Sequence, residues 1–119
     1  PSITGWAAMS GAFQSMPVVD VPEVARRLDE APDDWTLLDV RGKDELAEER
    51  IDGAQHIYVG EIAEKMRELD PQRRYTVMCK SGARSTIAAS MLRRQDFKQV
   101  DVFMGSMSAW KAAGYPVHS

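Results

Sequence analysis

Cysteine is almost absent from this chain: Cys79 is the only one among 119 residues. A single thiol cannot form a disulfide within the chain, which excludes the disulfide-stapled class of small secreted domains. A lone thiol suits a reducing compartment, and we therefore expect a cytoplasmic protein. Such a thiol is either a small buried apolar group or a nucleophile, and its neighbours in the sequence must decide between the two.

Further features are missing, and each absence excludes a class of protein. No stretch approaches the roughly 18 apolar residues of a membrane span, and the first residues lack the basic start and apolar block of a secretory signal. The net charge is −3 and the pI is about 5.4, so the basic face of a nucleic-acid-binding protein is not expected. No group of Cys, His or carboxylate residues shows metal-ligand spacing, so we expect neither a metal nor another cofactor.

The length and composition suit one globular domain. A chain of 119 residues that is 44% hydrophobic and 28% charged can bury a core without disulfides. Residues 1–16 are rich in Gly, Ser and Ala and show no clear period; we expect an irregular lead-in or the tail of a preceding domain. Because the sequence begins at Pro1 without a Met, we expect a piece of a longer protein, with its domain at residues 17–119.

Short apolar runs alternate with amphipathic segments along the chain. Asp20 and Glu23 form a capping-box pattern, which predicts a helix that ends near Glu30. The other patterns predict strands at residues 18–19, 35–40, 55–57, 75–78 and 99–103, and helices at residues 43–49 and 61–69, from Ser85, and from Gly105-Ser106. This alternation predicts an α/β fold with a small, mostly parallel sheet flanked by helices on both faces.

Cys79 directly follows the predicted buried strand at residues 75–78, and a polar loop containing Gly82 leads into the next helix. In open α/β sheets, ligands bind at the carboxyl ends of the strands. The backbone N–H groups from Lys80 to Ser85 can form an anion-binding nest, and the following helix directs its positive end at the loop. Hydrogen bonds and dipole together would lower the thiol pKa, which is ordinarily near 8.5, until the thiolate dominates at neutral pH.

These features predict a nucleophile that accepts sulfur. A thiolate at Cys79 attacks a sulfane sulfur and becomes a persulfide, whose charge the same N–H groups hold, and a second nucleophile then takes the outer sulfur. An ionised thiol needs no general base, and the only histidines, His56 and His118, lie outside any catalytic pattern. Among the loop side chains, Lys80 and Arg84 are candidates for binding an anionic donor.

The two loop serines allow two interpretations each. Ser81 and Ser85 can hydrogen-bond the bound anion, whereas Ser85 is equally suited to be the N-cap of the helix that follows. The residues alone leave both interpretations open.

Several motifs, in order along the chain, resemble the rhodanese (sulfurtransferase) family. They are LLDVR at residues 37–41 with Glu45, IDGA at 51–54, CKSGARS at 79–85, GSMSAW at 105–110 and GYPV at 114–117. The resemblance covers about residues 18–117, nearly the whole chain. It implies the rhodanese fold, a persulfide on Cys79, and a substrate-binding active-site loop formed by Lys80, Ser81, Gly82, Ala83 and Arg84, with Ser85 beside it.

The resemblance also places the family's D-V-R motif on residues 39–41. Asp39 and Arg41 then lie at the end of a neighbouring strand, where we expect them to support the loop through ion pairs or hydrogen bonds. The sequence departs from the family at residues 49–54, where many relatives have G-H-I-P-G-A, and at Gly105-Ser106, where many have G-G. The loop also differs from that of the two-domain thiosulfate enzymes, which leaves the sulfur donor open.

A domain with these features can have one of four functions. The resemblance favours an enzyme that moves sulfane sulfur from a small donor, such as thiosulfate or a persulfide, to a thiophilic acceptor. The alternative is a persulfide carrier or regulatory module of a larger protein, for example fused to a metallo-β-lactamase-type hydrolase. A phosphatase is disfavoured because such relatives have one residue more than the four that separate Cys79 from Arg84 here. An inert binding domain is disfavoured because such copies commonly lose the cysteine.

Overall fold

The computed structural model describes residues 16–119, so the lead-in predicted for residues 1–16 lies outside it except for Met16. The strands are β1 (Val18–Val19), β2 (Trp35–Asp39), β3 (Gln55–His56), β4 (Arg74–Met78) and β5 (Val100–Phe103). The α-helices are α1 (Val21–Glu30), α2 (Lys43–Glu48), α3 (Ile62–Lys65), α4 (Ala83–Arg94) and α5 (Ser106–Ala112). Within the described range, no helix combines the length and the apolar character that crossing a membrane requires.

The five strands form one sheet in the order β1-β5-β4-β2-β3, and every neighbouring pair is parallel. This confirms the predicted parallel sheet. After β2 the chain moves outward to β3 on one side, whereas after β4 it moves to β5 on the other. The carboxyl ends of β2 and β4 therefore flank a point where the winding direction reverses, which is where open α/β sheets bind ligands.

The sheet has a core on each face, which confirms the prediction of helices on both sides. Side chains alternate along the strands, so Val77 points to one face and Met78 to the other. The first core packs against α3 and α4 and includes Leu38, Ile62, Tyr75, Val77, Ala88, Leu92 and Val102. The second packs against α1 and α5 and includes Val24, Trp35, Leu37, Met78, Phe103, Met107 and Trp110.

Most predicted elements are present with small shifts at their ends, and one is interrupted. The Asp20 side chain caps α1, as predicted, by accepting a hydrogen bond from the Glu23 backbone N–H at 3.1 Å. The Glu23 carboxylate, which a capping box would direct at the Asp20 N–H, instead accepts hydrogen bonds from Arg26 and Arg27. The helix predicted for residues 61–69 is instead a short α3 with a tighter 3₁₀ turn on each side, at Val59–Glu61 and Met66–Glu68. Such turns are common at helix ends.

Candidate active site

Cys79 lies one residue beyond β4, at the carboxyl edge of the two strands that flank the reversal point. In the sheet register, Asp39 at the end of β2 is paired with Met78 at the end of β4. The D-V-R segment and the cysteine are therefore brought side by side. From Cys79 the chain turns within residues 80–82 and enters α4 at Ala83.

Three polar groups surround the Cys79 sulfur. The Gly82 backbone N–H donates to Sγ at 3.0 Å, the thiol donates to the Ser85 hydroxyl oxygen at 3.6 Å, and the Ser106 hydroxyl lies 3.9 Å away. The residue is only 1% exposed, which an inert core cysteine would share. An inert cysteine packs against apolar groups, however, whereas this sulfur is met by N–H and O–H groups that can hold a negative charge.

The pKa of the Cys79 thiol lies below its ordinary value. Burial acts to raise this pKa, but the Ser85 hydroxyl and the backbone N–H groups of Ser85, Gly82 and Ser81 outweigh burial by stabilising the thiolate. These N–H groups belong to the loop that the sequence assigns to an anion nest. The loop therefore supplies a charge-stabilising environment without any charged side chain touching the sulfur.

We expect alkylation of Cys79 by iodoacetamide to titrate with a midpoint below the cysteine value of about 8.5. Only the thiolate reacts, so the rate rises as the pH passes through the pKa, and a lowered pKa moves this rise to lower pH. Intact-mass measurement of the alkylation rate between about pH 5 and 10, beside glutathione as a free thiol, tests the shift. A midpoint above that of glutathione would show that burial dominates.

Gly82 is required at its position for two reasons. Its φ is +107°, in the left-handed region, and a Cβ there would lie 2.6 Å from the backbone carbonyl oxygen of Met104. Its own carbonyl oxygen accepts a hydrogen bond from the Ser85 hydroxyl at 2.9 Å. Ser85 is therefore the third residue of α4 with its side chain turned toward the sulfur, which corrects the N-cap interpretation: Gly82 occupies the cap position.

Gly82→Ala should destabilise the protein by about 1–3 kcal/mol through backbone strain, and it should also slow alkylation of Cys79 because the Gly82 N–H moves away from the sulfur. Gly114→Ala is the matched control, since Gly114 also has a positive φ, +83°, but nothing lies within 4 Å of the added Cβ. Urea unfolding and alkylation rates measure both effects. Equal alkylation rates in the two variants would contradict the role of the Gly82 N–H.

The remaining loop side chains are either exposed or paired. Lys80, Ser81 and Ala83 are exposed. Arg84 makes a two-pronged ion pair with Glu45, with Nη2 and Oε2 2.9 Å apart, and its guanidinium lowers the pKa of Glu45 to about 2. The charge of Arg84 is thus balanced within the protein, and Lys80 is the loop cation that faces solvent.

Asp39 and Arg41 form a buried ion pair, with 0% and 2% of their surfaces exposed. Arg41 donates from Nη2 to Asp39 Oδ2 at 2.7 Å and to the backbone carbonyl oxygen of Glu49 at 2.8 Å. Within residues 16–119, the hydrogen bonds of these two side chains go to each other and to residues 41 and 49, not to residues 80–84. The structure therefore does not show the expected direct support of the loop.

A connection to the loop exists through Glu45. The Gly42 backbone N–H, one residue after Arg41, donates to Glu45 Oε1 at 3.2 Å, and the same carboxylate holds Arg84. The segment fixed by the buried ion pair therefore carries the residue that anchors the end of the loop. In the sequence, Glu45 belongs to a motif but has no evident role; its spacing from Arg41 and the charge of Arg84 are the signals that point to this contact.

The backbone of Cys79 and Lys80 is hydrogen-bonded to the start of α5. The Cys79 carbonyl accepts the Met107 N–H at 3.0 Å, and the Lys80 carbonyl accepts the Ser108 N–H at 2.9 Å. The Cys79 N–H in turn donates to the Ser106 hydroxyl at 3.0 Å. The role of Ser106 is not evident from the sequence, because its contact with Cys79 joins residues 27 positions apart. Among the described residues, no three His, Cys, Asp or Glu side chains are placed to hold a metal ion.

Comparison with known proteins identifies the family. Residues 20–113 match the family model described as Rhodanese-like domain. YtwF, a candidate sulfurtransferase of Bacillus subtilis strain 168, is 42% identical over 87 residues, which cover 73% of this chain and 84% of YtwF. The thiosulfate sulfurtransferase GlpE of Coxiella burnetii is 33% identical over 79 residues, which cover 66% of this chain and 74% of GlpE.

A solved structure gives the same result at the level of the fold. The crystal structure of a rhodanese-related protein from Thermoplasma volcanium matches with a TM-score of 0.75 and 29% sequence identity, covering 86% of this chain and 97% of that one. This chain belongs to the rhodanese-like domain family and is related to enzymes that transfer sulfur groups.

Proposed function

We propose that this protein is a sulfurtransferase that carries sulfane sulfur as a persulfide on Cys79. The observation that carries the proposal is the Gly82 N–H, 3.0 Å from Sγ, in a loop whose Ser85 hydroxyl also faces the sulfur. The thiolate and the persulfide are both anions, so one set of donors can stabilise the nucleophile before transfer and the product after it.

The reaction balances in two steps. The Cys79 thiolate attacks the outer sulfur of the donor; a new S–S bond forms, the donor's own bond to that sulfur breaks, and its electron pair leaves with the donor, as sulfite when the donor is thiosulfate. An acceptor such as cyanide then attacks the outer sulfur, and the S–S bond breaks to return the Cys79 thiolate. Since both steps start and end with anions, no proton transfer is needed.

The donor is proposed to be thiosulfate or a low-molecular-weight persulfide. Thiosulfate is supported by the relationship to GlpE, which is named for it. The exposed Lys80 lies on a groove of about 320 Å³ beside the loop, and Lys111 and the buried Arg41 also line this groove. Three carboxylates line the same groove, those of Glu45, Glu48 and Glu49. Because Arg41 is paired with Asp39 and Lys111 with Glu49, the exposed Lys80 is the cation that supports an anionic donor.

The test is intact mass after incubation with thiosulfate and, separately, with glutathione persulfide, without reductant. We expect a gain of one sulfur atom with at least one donor, its removal by cyanide, and no gain after Cys79 has been blocked with iodoacetamide. No gain with either donor, in protein whose thiol still alkylates, would refute the proposal.

The same experiment separates an enzyme from a carrier. A persulfide that forms readily but passes only slowly to cyanide would indicate a carrier or regulatory module, whose acceptor is a fused or partner domain. In either case we place the reaction in a reducing compartment such as the cytoplasm, because a free thiolate persists there.

A further inference from the structure

Ser106 has an unusual backbone conformation for its residue type. It is the first residue of α5, its φ is +52°, and its side chain is fully buried. Left-handed backbone is adopted easily by glycine and with strain by residues that carry a Cβ. The backbone alone would therefore favour glycine at this position, and the serine must contribute something through its hydroxyl.

The Ser106 hydroxyl is the hydrogen-bond acceptor for the Cys79 backbone N–H, in place of a carbonyl group of a neighbouring strand. The β4–β5 pairing runs from Tyr75 to Val77, so Cys79 lies beyond the end of this ladder, and its N–H donates to Ser106 Oγ at 3.0 Å. The hydroxyl donates its own hydrogen to the Phe103 carbonyl at 2.7 Å. A glycine would leave the buried Cys79 N–H without this partner, which is costly in a protein interior.

The same hydroxyl is also near the reacting atom. Ser106 Oγ lies 3.9 Å from Cys79 Sγ, on a different element from Gly82 and Ser85, which approach the sulfur from the loop and α4. A hydroxyl hydrogen rotates freely about its C–O bond. When the sulfur is an anion, the hydrogen can turn from the Phe103 carbonyl toward Sγ.

We propose that Ser106 is a positioning residue for Cys79, which holds the nucleophile through its backbone N–H and adds a hydroxyl toward the charged sulfur. The left-handed backbone conformation of Ser106 is needed to place its hydroxyl near Cys79, because this conformation directs the side chain toward the end of β4. Strain retained at a functional position in this way is a known pattern. This inference rests on the proposed nucleophilic role of Cys79.

Ser106→Gly is the decisive variant, because it removes the hydroxyl and relieves the backbone strain together. We expect it to fold and to unfold in urea at a midpoint no lower than that of Ser106→Ala, which keeps a Cβ in the strained conformation. Both variants should shift the alkylation midpoint of Cys79 upward by about one pH unit and slow persulfide formation at pH 7 by up to about tenfold, through a smaller thiolate fraction. Ser90→Ala, which removes a hydroxyl in the middle of α4, is the control and should change neither quantity.

The outcomes separate this inference from the proposed function. A folded Ser106→Gly protein with the wild-type alkylation profile and persulfide rate would overturn the positioning role. A Ser106→Gly protein that does not fold would also overturn it, because the side chain would then serve the fold. If the wild-type protein forms no persulfide while both variants still shift the alkylation midpoint, the positioning of Cys79 stands and the sulfurtransferase proposal fails.

Discussion

Replacing Cys79 with serine is expected to abolish sulfur transfer, lowering the rate of thiocyanate formation from thiosulfate and cyanide by on the order of 10³-fold or more. A hydroxyl at this position stays protonated in the pH range where the loop holds a thiolate, and an alkoxide has no affinity for sulfane sulfur comparable to that of a thiolate. The loop's N–H groups would still bind an anion, but no bond to sulfur would form. Steady-state turnover and intact mass measure the loss.

The fold should survive this substitution, so the loss can be assigned to chemistry. Serine is close to cysteine in size, and its oxygen can accept the Gly82 N–H that Sγ accepts at 3.0 Å. Urea unfolding should therefore change by less than about 1 kcal/mol. Turnover retained at more than a few per cent of wild type, in protein that folds normally, would show that sulfur passes through another group and that Cys79 is a buried packing residue.

The sequence patterns were sufficient to predict the architecture, because local signals and burial agree along most of this chain. The nearly continuous apolar runs at residues 35–40 and 75–78 correspond to β2 and β4, which are buried in the middle of the sheet. Parallel strands end at a common edge, and the resemblance to the rhodanese family placed the D-V-R segment on the strand next to that of Cys79. The boundaries moved by only one or two residues at β2, β4 and the start of α4.

The site was less predictable, because its contacts join residues that are far apart in the chain. The Arg84–Glu45 ion pair spans 39 positions, and the Cys79–Ser106 hydrogen bond spans 27. Charge and polarity in a sequence indicate that a residue needs a partner but not which one it finds. Arg84 was therefore predicted to bind the donor, and only the structure shows its charge already paired.

Backbone conformation is the second reason why contacts in the site were not predicted. A serine before a helix favours a capping role, and Gly82 had to take the left-handed turn before Ser85 could point inward. Ser106 shows the opposite case, in which a residue with a Cβ adopts the conformation that local preference assigns to glycine.

The buried ion pair between Asp39 and Arg41 gives the largest expected change in stability. Asp39→Asn removes one charge and leaves the Arg41 guanidinium, whose side chain is only 3% exposed, without its counter-ion. Arginine cannot release its proton to escape the cost. Breaking a buried pair in this way costs about 3–5 kcal/mol, a large part of the stability of a domain of this size. Urea unfolding, followed by the fluorescence of the buried Trp35 and Trp110, measures the loss.

Two further variants show whether the unpaired charge is the cause. Glu30→Gln makes the same carboxylate-to-amide change in an exposed ion pair with Arg26 and should have little effect, because water screens both groups. Combining Asp39→Asn with Arg41→Gln should restore part of the lost stability, since the second change removes the stranded charge. If Asp39→Asn instead unfolds with the wild-type free energy, the ion pair does not hold the segment that carries Glu45. In Asp39→Asn protein that remains folded, the active-site loop should be affected only through Glu45. Alkylation of Cys79 should therefore slow only to the extent that the Glu45–Arg84 ion pair is weakened.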